Sequence, residues 1–117
     1  MEDGIAEGVR LFNTQKFFEA HEALEVVWLK AQGARKTVLQ GVIQVAAAFF
    51  HRTKRNHAGF RSLLEKGCTK LERFEVEIDG LDLVDLLEQL RPWREGWHRT
   101  GTQASYEGPP LPHIRGR

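Results

Sequence analysis

At 117 residues, with 41% hydrophobic and 28% charged side chains, the chain has the size and composition of one ordinary globular domain, able to build a core without staples. Its 17 Lys and Arg stand against 16 Asp and Glu, a balance that offers no global field to attract nucleic acid or anionic lipid. A single cysteine, Cys68, excludes an intramolecular disulfide and suits a reducing compartment.

The N-terminus, Met-Glu-Asp-Gly, lacks the basic and apolar regions of a secretory signal. The longest apolar stretch, Gly41 to Phe50, is interrupted by Gln44 and is too short to span a bilayer. A soluble cytoplasmic protein with no membrane contact is expected.

Helical periodicity dominates the chain, and no strand alternation appears. Ile5, Val9 and Phe12 predict a first helix that stops near Asn13-Thr14. Either of those residues can cap a second helix, about Gln15 to Ala31, which runs into Gly33 as its terminator. A third helix is predicted from about Arg35 to Arg55. Asn56 can cap a fourth, carrying Phe60, Leu63, Leu64, Leu71 and Phe74. Gly80 breaks the chain, and Asp82 can cap a fifth helix with Leu83, Leu86, Leu87 and Leu90 on one stripe. Pro92 is expected to end or kink that helix and to set Trp93 and Trp97 on a separate turn. The predicted fold is all-α: a single antiparallel bundle of about five helices over residues 1–100, followed by a Gly/Pro-rich tail over 101–117.

The third helix is the predicted centre. Leu39, Val42, Ile43, Val45, Ala47, Phe49 and Phe50 cover nearly every azimuth, as on a helix with neighbours on several sides. Polar residues on such a helix are expected to be buried, and buried polar groups need partners.

Those polar residues face a second set. With His21 as reference, Glu25 lies about 40° round the second helix, Trp28 about 20° to the other side and Glu22 about 100° away. On the third helix Gln40, Gln44 and His51 fall within about 40° of one another, although Gln40 and His51 are about 16 Å apart along the axis. Antiparallel packing would set the two rows opposite each other. One reading is a buried hydrogen-bond network of His21, Glu25, Gln40, Gln44 and the Trp28 indole, either structural or lining a ligand or partner groove. The alternative is a divalent-metal hydrolase. His21-Glu22-x-x-Glu25 is like a zinc-protease helix with its second histidine replaced; His21, Glu25 and His51 would hold zinc or iron, and Glu22 would be the general base.

These residues also carry a family resemblance. Phe17-Phe18-Glu19-Ala20-His21-Glu22-x-Leu24-Glu25-x-x-Trp28, then Gln40-Gly41-x-Ile43-Gln44-x-Ala46-Ala47 with His51, then Asn56-x-x-Gly59, resemble a small prokaryotic all-helical family known only as domain of unknown function 309. The resemblance covers about Ile5 to Phe74. It implies a helical bundle and carries no established activity, substrate or cofactor. It also implies that the characteristic polar positions are Glu19, His21, Glu22, Glu25, Trp28, Gln40, Gln44 and His51.

Three further groups have structural explanations. Arg52, Lys54, Arg55, His57 and Arg61 complement the C-terminal end of the third helix and, without interleaved aromatics, argue against nucleic-acid binding. Cys68 fits as a small core filler. Trp93, Trp97 and Tyr106 are expected to close the core or to form an interaction patch. A homodimer through a helix face, or another protein or small-molecule partner, is the remaining expectation.

Overall fold

In a computed structural model the described residues are 3–74, 80–100 and 109–116, with backbone alone at residue 3 and at 96–100. They form five helices in chain order: α1 (Asp3–Asn13), α2 (Phe17–Lys30), α3 (Gly33–Thr53), α4 (His57–Leu71) and α5 (Leu83–Thr100). The only pairing of extended backbone among these residues is a single antiparallel bridge between Leu81 and Gly116.

Side chains fix the antiparallel order. The start of α1 meets the end of α2, with Gly4 against Val27, and the end of α1 meets the start of α2, with the Phe12 and Phe17 rings 5.2 Å apart. The same reversal relates α2 to α3 through Phe18–Phe50 and Trp28–Lys36. It relates α3 to α4 through Gly41–Gly67 and His51–Gly59. This is the expected antiparallel bundle, and connections of two or three residues between α1 and α4 leave those successive helices little alternative.

The α3–α4 contact is the closest. A Cβ built on Gly67 would lie 2.7 Å from the Gly41 carbonyl oxygen, and one on Gly41 would lie 3.1 Å from the Gly67 carbonyl oxygen. Two facing glycines therefore let backbone meet backbone.

Helix α3 is central, as expected. It buries Val38, Leu39, Val42, Ile43, Val45, Ala46, Ala48 and Phe49, packs on both α2 and α4, and reaches α5 through an edge contact between Phe49 and Trp93 at 5.2 Å. It is not enclosed on all sides. Gln40, Gln44, Ala47, Phe50 and His51 remain half-buried along a strip flanked by α2 and α4.

Several helix ends differ from expectation. Neither Asn13 nor Thr14 caps α2; the capping position is Lys16, which makes no side-chain cap bond. Thr14 Oγ1 instead donates to the carbonyls of Arg10 and Leu11, closing α1. Gln15 then takes φ +67°, with Gln15 N–H donating to the Phe12 carbonyl and Lys16 N–H to the Leu11 carbonyl. That is the paired bonding of a Schellman end, with glutamine where glycine is usual. Arg55, at φ +59°, ends α3 in the same way. Gly33 does not terminate α2; it opens α3 at φ +64°. The predicted caps at Asn56 and Asp82 are present: Asn56 Oδ1 accepts from Gly59 N–H at 3.0 Å and Asp82 Oδ1 from Asp85 N–H at 3.0 Å.

Pro92 neither ends α5 nor sets Trp93 and Trp97 on a separate turn; the helix continues to Thr100. An interior proline costs about 3 kcal/mol. Here the next two residues anchor the helix beyond it. Trp93 is buried against Phe49 and Phe60, and the Arg94 guanidinium spans Glu65 of α4 and Glu72 at its C-cap. Pro92 and Glu88 are exposed, so water can satisfy the carbonyl that proline leaves without a donor. The Trp97 side chain and Tyr106 lie outside the described residues.

Residues 109–116 are docked on the bundle. Pro112 and Ile114 are buried, while His113 and Arg115 face out.

Candidate functional site

The strip where α2 lies beside α3 holds the polar residues singled out in the sequence, but not as one network. Glu19 sits in the exposed first turn of α2, where a carboxylate favours the helix dipole. His21 Nε2 lies 3.5 Å from Glu25 Oε2, with the two side chains 27% and 51% exposed. A pair that long and that wet contributes little. Glu22 points to solvent. Trp28 does not join a hydrogen-bond chain: its indole N–H is buried without a partner, and the Lys36 ammonium lies 4.3 Å from its ring centroid as a cation–π contact.

On α3 two of the three polar residues turn toward α4. Gln44 Oε1 accepts from Lys70 Nζ at 2.9 Å. His51 Nδ1 lies 2.9 Å from Asn56 Nδ2. An amide nitrogen only donates, so Nδ1 is the acceptor in this contact. Asn56 thus joins α3 to α4, with its oxygen capping α4 and its nitrogen holding the imidazole. Gln40 is half-buried on the strip between the two directions.

Between the histidines stand two phenyl rings. Phe18 stacks beside His21 at 5.8 Å and Phe50 at 5.0 Å, and Phe50 lies 6.2 Å from His51. Three expectations are corrected by this geometry. The cluster is not buried: among the described residues no polar or charged residue is fully buried. It is not one network, because Gln44 and His51 bond toward α4 while His21 and Glu25 pair on α2. And among the described residues no three His, Cys, Asp or Glu side chains come together as a ligand group. In this geometry His21, Glu25 and His51 do not come together as the ligand set that a metal-hydrolase reading needs.

Sequence reasoning missed the outer face of α2. Among the described residues four large apolar side chains are exposed, and three are on this helix: Phe18 at 42%, Val26 at 60% and Leu29 at 68%. They alternate with exposed Glu19, Glu22 and Glu25. Phe18, Glu22, Glu25 and Leu29 share an arc of about 60°, with Val26 about 40° beyond. The signal was present in the sequence, since α2 carries apolar residues well outside the arc that α1 and α3 cover. A shallow depression between Lys16, Phe18, Phe50 and Thr53 continues the face past the N-terminal end of α2.

The basic cluster is largely engaged within the fold. Arg52 lies 4.8 Å from the Trp93 ring centroid and Lys54 lies 5.3 Å from that of Phe50. Cys68 is buried, and desolvation pushes its thiol up to about 12, so it is a core filler and not a nucleophile.

Comparison with known proteins places this five-helix bundle. A family model described as domain of unknown function, DUF309, matches residues 5–63, which takes in α1, α2, α3 and the first half of α4. The chain belongs to that family. It is 36% identical over 86 residues to the Uncharacterized protein YpuF of Bacillus subtilis (strain 168), an alignment covering 71% of this chain and 49% of the relative. The chain therefore spans about half the length of that curated relative. No described helix is long and apolar enough to cross a membrane.

Proposed function

We propose that the chain is a cytoplasmic protein-binding module whose working surface is the outer face of α2, and that the surface takes a basic amphipathic helix from another protein. One observation carries the reading: Phe18, Val26 and Leu29 are held in solvent on a single rigid helix, interleaved with Glu19, Glu22 and Glu25. Exposed apolar side chains that are grouped rather than scattered mark contact surfaces. A helix laid along this one would cover them with its own apolar stripe, and its flanking Lys or Arg would meet the glutamates.

A second copy of the chain fits this face less well. Antiparallel packing of α2 on its own copy about a two-fold axis near residues 23 and 24 would set Glu22 against Glu25 of the other molecule, a like-charge contact. The cytoplasmic assignment rests on the lone buried Cys68.

The test uses two synthetic amphipathic helices, one with leucine and lysine and one with leucine and glutamate. In titrations followed by amide resonances, the lysine peptide should shift α2 signals and the glutamate peptide should not. Val26→Asp with Leu29→Asp should abolish the shifts without changing the melting temperature, because both side chains are exposed. Glu22→Lys with Glu25→Lys should reverse the preference. An unchanged preference overturns the proposal. So does a solution mass near twice 13.4 kDa that Leu29→Asp returns to the monomer, because a second copy would then own the face.

A further inference from the structure

The docked C-terminal segment is held chiefly by its main chain, which side chains of the bundle bond directly. Asn13, at the end of α1, donates from Nδ2 to the Ile114 carbonyl at 2.9 Å and accepts from Ile114 N–H at 2.7 Å. Gln89, on α5, does the same for the neighbouring residue, donating to the His113 carbonyl at 2.9 Å and accepting from His113 N–H at 2.8 Å. The Trp93 indole N–H donates to the Pro110 carbonyl at 3.1 Å. Backbone completes the set, with Asp82 N–H donating to the Arg115 carbonyl at 2.8 Å and Leu81 bridging Gly116.

Two carboxamides thus stand in for a neighbouring strand, each exchanging the pair of bonds that a β-ladder residue would exchange. Specificity enters only where the segment turns inward. Pro112 and Ile114 are buried, Ile114 to 3% exposure, Leu111 packs partly buried against the core, and His113 and Arg115 face solvent. Among the described residues, the contact an outward residue makes is a long one, Arg115 Nη1 to Asp85 Oδ1 at 3.5 Å with Arg115 68% exposed. Main-chain bonds that give affinity, with alternate side chains read in pockets, are how sheet-edge domains recognise extended peptides.

We propose that the cleft between α1 and α5 is a peptide-recognition groove, and that it takes an extended segment with the pattern proline–x–isoleucine from another protein. The chain's own residues 109–116 occupy it as the resident ligand. The groove is separate from the α2 face: its side-chain anchors lie on α1 (Asn13) and α5 (Gln89 and Trp93). Because the resident segment belongs to the same chain, it competes with any ligand in trans at a raised effective concentration. A ligand in trans must therefore outcompete it or find it displaced.

The probe is a labelled peptide with the sequence of residues 108–117, tested by fluorescence anisotropy on the full chain carrying Ile114→Asp. The charged side chain removes the resident isoleucine from its pocket. The peptide should bind this variant at least tenfold more tightly than it binds the unaltered chain. Adding Asn13→Ala or Gln89→Ala should weaken that binding at least tenfold. A folded Ile114→Asp chain that leaves the peptide unbound at 1 mM makes the segment a fixed strap and overturns the proposal, as does binding indifferent to Asn13 and Gln89.

A second measurement needs no variant of the protein. Excess unlabelled peptide should accelerate hydrogen exchange at the His113 and Ile114 amides of the unaltered chain, whereas the same peptide with aspartate for isoleucine should not. Exchange unchanged at millimolar peptide also overturns it. A dimer formed by exchanged tails, seen as doubled mass, would make the ligand a second copy and refute a partner of different sequence.

Discussion

Gly67→Ala tests the closest contact in the bundle. On helix propensity alone the change should stabilise α4 by about 1 kcal/mol. The structure opposes this, because the new Cβ would lie 2.7 Å from the Gly41 carbonyl oxygen, 2.9 Å from Val45 Cγ2 and 3.2 Å from the Val45 nitrogen. Carbon–oxygen contacts between packed helices settle near 3.3–3.6 Å, so relieving this contact takes a shift of roughly 0.6–0.9 Å between α3 and α4. Two of the three obstructing atoms are backbone and cannot rotate away. Overpacking of a well-packed core costs about 1–3 kcal/mol, and a backbone obstruction belongs at the upper end. Set against the propensity gain, the net loss is about 2 kcal/mol. For a domain of this size that is a fall in melting temperature of roughly 8 °C. Circular dichroism melts and urea midpoints would measure it. Gly41→Ala supplies the comparison: its Cβ meets the Leu71 side chain first, at 2.9 and 3.0 Å, and the Gly67 carbonyl only at 3.1 Å. Leu71 can shift rotamer, so Gly41→Ala should cost less than Gly67→Ala. A Gly67→Ala chain that melts higher than the parent, or a reversed ranking, would refute the close approach.

Gln15→Gly and Arg55→Gly should each stabilise the fold by roughly 0.5 kcal/mol, because relief of about 1–2 kcal/mol of left-handed strain exceeds the extra backbone entropy glycine brings to the unfolded chain; a lower urea midpoint for either would refute the assigned helix end. Asn13→Ala removes both bonds to Ile114 and should cost about 1–3 kcal/mol, with the loss visible as faster hydrogen exchange at Ile114 before global unfolding. Cys68 should resist alkylation at pH 8 in the folded chain and react promptly in urea, since desolvation holds the native thiol up near 12. The same shift fixes a sign: the folded state keeps its proton where the unfolded thiol, near 8.5, has lost it. The Cys68 contribution is therefore full below about pH 8.5 and is lost as pH rises from there toward 12. Cys68→Ser should flatten that part of the stability profile, and an unchanged slope would contradict the burial.

The sequence yields helices where local chemistry decides and fails where distant segments decide. Ile5, Val9 and Phe12, or Leu83, Leu86 and Leu90, announce one buried stripe each, and Asn56 and Asp82 mark helix starts because their caps reach only three residues ahead. Helix α3 defeats the same logic. Its apolar residues cover almost every azimuth, so periodicity cannot say which strip stays open, and the expected burial of Gln40, Gln44 and His51 followed from that missing orientation. The Gln44 partner, Lys70, lies 26 residues away, and Asn13 meets Ile114 across 101. No pattern within one helix encodes either pairing. Gln15 and Arg55 were illegible for a different reason: the left-handed position usually announces itself as glycine, and here ordinary residues are held there by the bonds around them. The α2 face was the readable omission. A helix covered by neighbours on two sides needs apolar residues over only part of its circumference, and Val26 and Leu29 fall outside that part. Burial within the described bundle does not account for them, and the partner helix proposed above would cover them.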